Sequence, residues 1–298
     1  MFFLLLFLFG ASQLWSEKTL DPTLESRGKK ISPSPLSIQV FSGDEKFGSL
    51  ANSVLVIGEK NILLIDAQRS VNNARLLAEV IRKTGKKLET IYITHMHPDH
   101  FLGIPVLQTA FPGVKVVACG LVANEMKNGA ETLRKMVKSA MASEITDQIP
   151  DSVVLPEGLK VPTLFLEGNK LEILACGPGE SQFSSMVFVP SLKALIAGDM
   201  LFNKVFLWLN EKRFEGWLEN LKKLRRMKNI EVIYPGHGDK TDPSVIDENI
   251  RYIEEYQRIV QTSRNAEEAI EAMKKLYTDY RMERFLTYGL KNFFPLGK

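Results

Sequence analysis

The sequence predicts an α+β protein with a helical carboxyl-terminal tail, and three observations carry that expectation. Short apolar runs with strand spacing occur in both halves of the chain, amphipathic stretches at helical spacing separate them, and beyond Pro243 only helical patterning remains. With 298 residues, 45% of them apolar, the chain can bury a sizeable core. A net charge of +3, with Lys and Arg spread along the chain, argues against a nucleic-acid partner and leaves a small molecule as the expected one.

Residues 1–13 read as a secretory signal: the apolar FFLLLFLF is followed by Gly10, Ala11 and Ser12. The run is far shorter than a membrane span, so the mature chain is expected to be periplasmic or secreted, or membrane-anchored if the signal stays attached. Residues 14–35, polar and with three prolines, are expected to form a loose arm. Residues 36–242 then read as one domain, with a helical extension over 243–298 packed on it, because no composition break or long linker intervenes.

Within the domain, strands are predicted at Leu36–Phe41, Ser53–Ile57 and Ile62–Ile65, the last two joined by a GEKN turn. Val71, Ala74, Leu77, Ala78 and Ile81 follow at helical spacing, with Ser70 as N-cap and Gly85 as stop. A strand over Leu88–Thr94, a helix over Phe101–Phe111, a strand over Val114–Ala118 and a helix over Leu121–Met141 come next, the methionines Met126, Met136 and Met141 reading as core. The second half gives strands at Leu159–Leu166, Leu171–Ala175, Met186–Val189 and Ala194–Ala197, a helix at Phe214–Met227 and a strand at Glu231–Tyr234. Helices at Ser244–Gln261, Ala266–Tyr277 and Arg281–Leu290 end the chain. The two cysteines, Cys119 and Cys176, fall in apolar strand-like segments and are expected to be buried free thiols, with a disulfide as the alternative in an oxidising compartment.

The most informative stretch is THMHPDH, residues 94–100. His95 and His97 are two apart, so in extended chain both imidazoles leave the same face and reach one ion. Pro98 suits a first helical turn, which lets Asp99 and His100 face a second ion beside it. Three later turns each close a strand: GPGES at 177–181, AGD at 197–199 and YPGHG at 234–238, offering Glu180, Asp199 and His237. Each is weak alone. Together they matter, because all four histidines of the chain fall in these motifs.

This set of motifs resembles the metallo-β-lactamase superfamily, in its general, glyoxalase II-like metallohydrolase branch: a HxHxDH motif, a bridging Asp in a GD turn, and a last His in a PGHG turn. The resemblance spans roughly residues 36–240 and implies a four-layer αββα sandwich with two metal ions at one edge. It implies His95 and His97 as ligands of the first ion, Asp99, His100 and His237 as ligands of the second, and Asp199 between them. Asp66, ending NILLID, matches the Asp placed after the family's hairpin, and with Thr94 it is expected to support the ligands. One position departs from the pattern. Glu180 stands where the family carries a third histidine, either as a carboxylate ligand or as a loop carboxylate that leaves the first site weakened.

As a ligand, Glu180 makes a cluster of two divalent ions, Asp99, Asp199 and a hydroxide formally neutral, where histidine would leave one positive charge. A less positive cluster is a weaker Lewis acid, so zinc is expected with manganese or iron competing better than usual. The expected chemistry is hydrolysis by a metal-bound hydroxide, oriented by Asp99, on an ester, lactone, thioester or β-lactam carbonyl. Ser181, Ser184 and Ser185 lie in no GxSxG elbow and read as turn and strand residues. Phe202, Phe206, Trp208 and Trp217 are candidate pocket walls, core being the alternative. Two rival readings stay open: an iron-dependent redox enzyme on the same scaffold, and a metal-binding interaction protein with weakened catalysis.

Overall fold

A computed structural model describes residues 33–44, 46, 50–140 and 148–294. The expected signal, nearly all of the arm, and Met141 lie outside the described residues. The first sheet contains β1 (Ser37–Ser42), β2 (Asn52–Ile57), β3 (Asn61–Ile65), β4 (Lys87–Ile93), β5 (Lys115–Cys119) and β6 (Glu157–Leu159), side by side in chain order. β1, β2 and β3 form antiparallel hairpins; from β3 to β6 every pairing is parallel. Parallel neighbours need crossovers, which α1 (Val71–Lys83), α2 (Pro98–Phe101), α3 (Ile104–Ala110) and α4 (Gly120–Ala140) supply. Ser70 caps α1 as predicted, its hydroxyl accepting from the Asn73 amide at 3.1 Å.

The second sheet runs in the order β11, β10, β9, β8, β7, with β7 (Thr163–Leu166), β8 (Asn169–Gly177), β9 (Ser184–Val189), β10 (Ala194–Phe202) and β11 (Val232–His237). Only β10 and β11 are parallel, connected through α5 (Phe214–Leu224). Every residue of β9 and β10 is buried, as expected of strands covered on both faces. One core joins the facing sides of the two sheets to α1, α3 and α4. The other lies between the second sheet and α5, α6 (Ser244–Thr262), α7 (Ala266–Leu276) and α8 (Glu283–Phe293), so the layers form an αββα sandwich.

Three expectations need correction. The predicted Phe101–Phe111 helix is two pieces, because Gly103 packs against the β3–α1 connection: its amide donates to Gln68 O at 2.8 Å, and a Cβ there would stand 2.0 Å from Ala67 O. The predicted strand over 159–166 is divided between β6 and β7, which lie in different sheets. Cys119 and Cys176 are not free thiols. Cys119 ends β5 in the first sheet, Cys176 lies near the end of β8 in the second, and the sandwich brings their Cα atoms to 6.7 Å, joined by a disulfide. Facing sheets create that proximity, and strand patterning along the chain carries no trace of it.

Met126 is fully buried as expected, whereas Met136 is 61% exposed on the outer side of α4. Among the described residues no helix is long and apolar enough to cross a membrane.

Candidate metal centre

The site forms where the carboxyl ends of β3, β4, β10 and β11 meet the β8–β9 loop. β4 delivers Thr94 and His95, and α2 begins at Pro98 with His97 as its N-cap in extended conformation. His97 is extended and Asp99 and His100 occupy the first helical turn, as the spacing predicts, but His95 and Met96 lie in a bend beyond β4, so the bend and not a strand's alternation brings His95 beside His97.

Asp66 organises the group from the end of β3. Its Oδ1 accepts from the Thr94 amide at 2.9 Å; its Oδ2 accepts from Thr94 Oγ1 at 2.8 Å and lies 2.8 Å from His100 Nδ1. Thr94 Oγ1 in turn lies 2.9 Å from His95 Nδ1. Both histidines are thus fixed through Nδ1, which turns each Nε2 inward.

The β8–β9 loop brings in Glu180. Ser185 holds the start of β9 against Thr94, donating through its amide at 3.0 Å and its hydroxyl at 2.8 Å to Thr94 O. Ser181 and Ser184 join hydroxyls at 2.8 Å inside the loop, so these serines act as turn and strand fasteners. Glu180 is 2% exposed; its Oε1 lies 2.6 Å from His97 Nδ1 and its Oε2 lies 3.6 Å from His95 Nε2. Glu180 is therefore a buried carboxylate facing both histidines and not a surface one.

Asp199, on β10, stands between the two groups of histidines. Its Oδ1 is 3.2 Å from His100 Nε2, and its Oδ2 is 3.4 Å from His237 Nε2 and 3.9 Å from His95 Nε2. Gly236 makes this approach feasible, since a Cβ there would stand 1.8 Å from Asp199 Oδ1. Asn52 secures the His237 turn by donating to Pro235 O at 2.9 Å and Gly238 O at 2.7 Å. Asp99 reaches the same space, with Oδ2 3.6 Å from His237 Nε2 and Oδ1 4.0 Å from His100 Nε2.

His95 Nε2, His100 Nε2, both ring nitrogens of His237, Glu180 Oε2 and Asp199 Oδ1 are buried without an aligned hydrogen-bond partner. Buried polar atoms are nearly always paired, so this concentration is unusual. Three overlapping donor sets emerge among the described residues, His95 with His97, Glu180 and Asp199, Asp99 with His100 and His237, and Asp66 with His95 and His100, each with ligand atoms within 4.8 Å of one another. Nitrogen and carboxylate oxygen donors packed this way suit divalent cations.

The protonation pattern reflects the same crowding. Burial opposes charge on His100, yet Asp199 and Asp66 hold its pKa well above the usual imidazole value. Burial also opposes charge on His97, and Glu180 with Glu211 outweighs it in the same direction. His95 goes the other way, pushed well below by burial and the neighbouring His100. Against the pull of burial, His100 and His237 keep both Asp99 and Asp199 ionised, with Arg69 assisting at Asp99.

Of the expected pocket walls, Phe202, Phe206 and Trp217 are core residues instead, 1%, 2% and 1% exposed. Phe202 on β10, Trp217 on α5 and Phe206 in the segment between them all join the core between the second sheet and its helices. Phe202 stacks on His237 with ring centroids 5.3 Å apart and 7° between planes, and Trp217 Nε1 donates to Met200 O at 3.0 Å. Trp208 lies outside this core, packed between Phe285 and Tyr288 of α8.

No sequence signal pointed to Glu211, whose Oε1 lies 2.8 Å from His97 Nε2, or to Phe285, edge-on to His237 at 5.4 Å. Glu211 sits in a charged NEKR turn that reads as surface, and only the fold turns it toward His97.

Comparison with known proteins agrees with this geometry. The family model described as the metallo-beta-lactamase superfamily matches residues 48–237. A "probable metallo-hydrolase" of Methanocaldococcus jannaschii is 28% identical over 201 residues, 66% of this chain and 91% of that protein. A type 2 metallo-beta-lactamase of Bacillus sp. strain 170 is 25% identical over 206 residues, covering 66% and 70%. A metallo-beta-lactamase family protein of Thermus thermophilus shares the fold with a TM-score of 0.63 at 18% identity, covering 87% of this chain and 91% of its own. With the HxHxDH segment, the αββα layers and this family match in agreement, the chain belongs to the metallo-β-lactamase superfamily.

Proposed function

We propose that the chain is a binuclear metal-dependent hydrolase of a carbonyl substrate, an ester, lactone, thioester or β-lactam. One observation carries this reading: the buried Nε2 atoms of His95, His100 and His237, none with an aligned hydrogen bond, share one space with Glu180 Oε2 and Asp199 Oδ1. His95, His97 and Glu180 would hold the first ion, Asp99, His100 and His237 the second, with Asp199 serving both. Two divalent ions, zinc in the first instance, would supply Lewis acidity and a water ionised near neutral pH.

The chain's own residues do the rest. Asp66 and Thr94 fix the tautomers of His95 and His100, so both offer Nε2 without rearrangement. Asp99 stays ionised and would accept a hydrogen bond from the attacking water, which orients it toward the carbonyl. Burial by β9, β10 and α2 keeps bulk water from competing for these groups.

Glu180 adds a carboxylate where histidine is usual, which favours manganese or iron more than a His-rich site does. This same observation supports the second reading, an iron-dependent redox enzyme. Anomalous scattering from crystals of protein purified without added metal separates the two. Zinc in both positions together with turnover in an ester, lactone, thioester and β-lactam panel supports hydrolysis; iron with oxygen consumption and no hydrolysis overturns it. We also place the chain outside the cytosol, a reading that the Cys119–Cys176 disulfide supports.

A further inference from the structure

A cavity of about 320 Å³ opens beside His97. Its walls come from α4 and from the segment that carries the His95–His97 pair. Met96, Leu133 and Met136 supply apolar surface, and Gly129 leaves space opposite Met96, where a Cβ would stand 3.1 Å from the Met96 Cε atom.

Two carboxylates face this cavity, and their situations differ. Glu211 is committed, with Oε1 2.8 Å from His97 Nε2 and Oε2 2.8 Å from Arg213 Nε. Glu125 is not: its Oε2 is buried with no hydrogen-bond partner among the described residues. Burial, reinforced by Glu211, raises the Glu125 carboxyl above its usual range, and His97 and Arg213 only partly offset this. A buried carboxylate oxygen without a donor is costly, and here it borders a cavity whose wall mixes the apolar Met96, Leu133 and Met136 with the polar Asn128, Thr132 and Ser181.

We propose that this cavity is a substrate subsite for a short aliphatic chain ending in an ammonium group, with Glu125 as the counter-charge. Its place in a reaction rests on the hydrolytic reading of the adjoining centre; its binding chemistry does not. An ammonium offers three N–H donors, enough to satisfy Glu125 Oε2 and keep others for water. The methylenes cover Met96, Leu133 and Met136, and taking this apolar surface from water favours the contact. The volume accommodates about ten water-sized groups at roughly 30 Å³ each, which suits a chain of six or so heavy atoms. An anionic chain meets two carboxylates, and a neutral one leaves Glu125 short of charge. The substrate class is thus a carbonyl compound with an aliphatic amine arm.

Titration of the purified protein with n-hexylammonium, n-hexanol and n-hexanoate at neutral pH, followed by ligand-observed NMR, compares three chains of one length and three charges. The ammonium should bind on the order of tenfold more tightly than the alcohol, as expected for a hydrogen bond to a charged group, with hexanoate weakest. Glu125→Gln should bring the ammonium to the level of the alcohol. Equal binding of all three, or an ammonium preference kept in Glu125→Gln, overturns the proposal. If that variant does not fold, the ranking on the wild-type protein decides together with Met136→Trp, a change at the exposed rim that should weaken all three ligands. A Met136→Trp variant that binds them all unchanged places them elsewhere and overturns the subsite. Failure of every ester and lactam to turn over, with Glu125-dependent ammonium binding intact, removes the hydrolytic reading and leaves this one standing.

Discussion

His97 Nδ1 lies 2.6 Å from Glu180 Oε1, so the residue that departs from the family's histidine pattern is hydrogen-bonded to one of the histidine pair. Glu180→Ala should roughly halve the bound metal per chain, because a first site reduced to His95, His97 and Asp199 lacks a protein ligand. Glu180→His should shift the metal of protein purified without supplementation toward zinc. Elemental mass spectrometry reads both; identical metal content and identity in the two variants and the wild type would place Glu180 outside the centre.

Asp66 meets His100 at Nδ1, away from Nε2, and joins β3, Thr94 and His100 through three short contacts. Asp66→Asn offers an N–H where Thr94 Oγ1 and His100 Nδ1 need an acceptor. Metal affinity should fall about 10–100-fold, the usual cost of losing a carboxylate behind a ligating histidine. Competition with a chromophoric chelator measures it, and an unchanged dissociation constant argues that His100 is held by packing alone.

Without metal, His97 and His100 are held protonated well above the usual imidazole range by their carboxylate neighbours, against the opposition of burial. Ligation requires the neutral rings, so metal uptake must release protons and tighten as pH rises, by about tenfold per pH unit for each proton released. The sign follows from the raised values: below them, protons compete with the ion; above them, they do not. Calorimetry of metal binding in buffers of different ionisation enthalpy counts the protons, and an uptake that does not depend on buffer contradicts the assignment.

The Cys119–Cys176 bridge closes a separation of 57 residues between the two sheets. Its removal in Cys119→Ser/Cys176→Ser should lower stability by about 2–4 kcal/mol through the freed unfolded chain. The midpoint of urea unfolding for oxidised wild type, reduced wild type and the double variant tests this, with the last two expected to coincide. Thiol titration of the denatured oxidised protein should find no free cysteine.

The centre and the fold were legible in the sequence to different depths. THMHPDH carries part of its own geometry: Pro98 starts a helical turn that holds Asp99 and His100, and the bend at His95 and Met96 leads from β4 to the extended His97. Those relations are local, and local backbone rules fix them. Strand and helix positions were readable for the same reason, since hydrophobic period follows from which face is buried. The periodicity did not select two facing sheets; the family motifs implied that.

Tertiary structure alone decided the rest. Glu180 becomes a partner of His97, and Glu211 another, because the β8–β9 loop and the turn before α5 arrive at the same point from distant parts of the chain. Phe202 and Trp217 become core, and Cys119 meets Cys176, for the same reason. Short-range sequence specifies the direction in which a side chain leaves its own element; which surfaces then meet depends on how the two sheets pack, a long-range outcome of burying both apolar faces at once. Hence the sequence determined the histidine–aspartate motif and its elements, and packing decided that Glu180 meets the histidines.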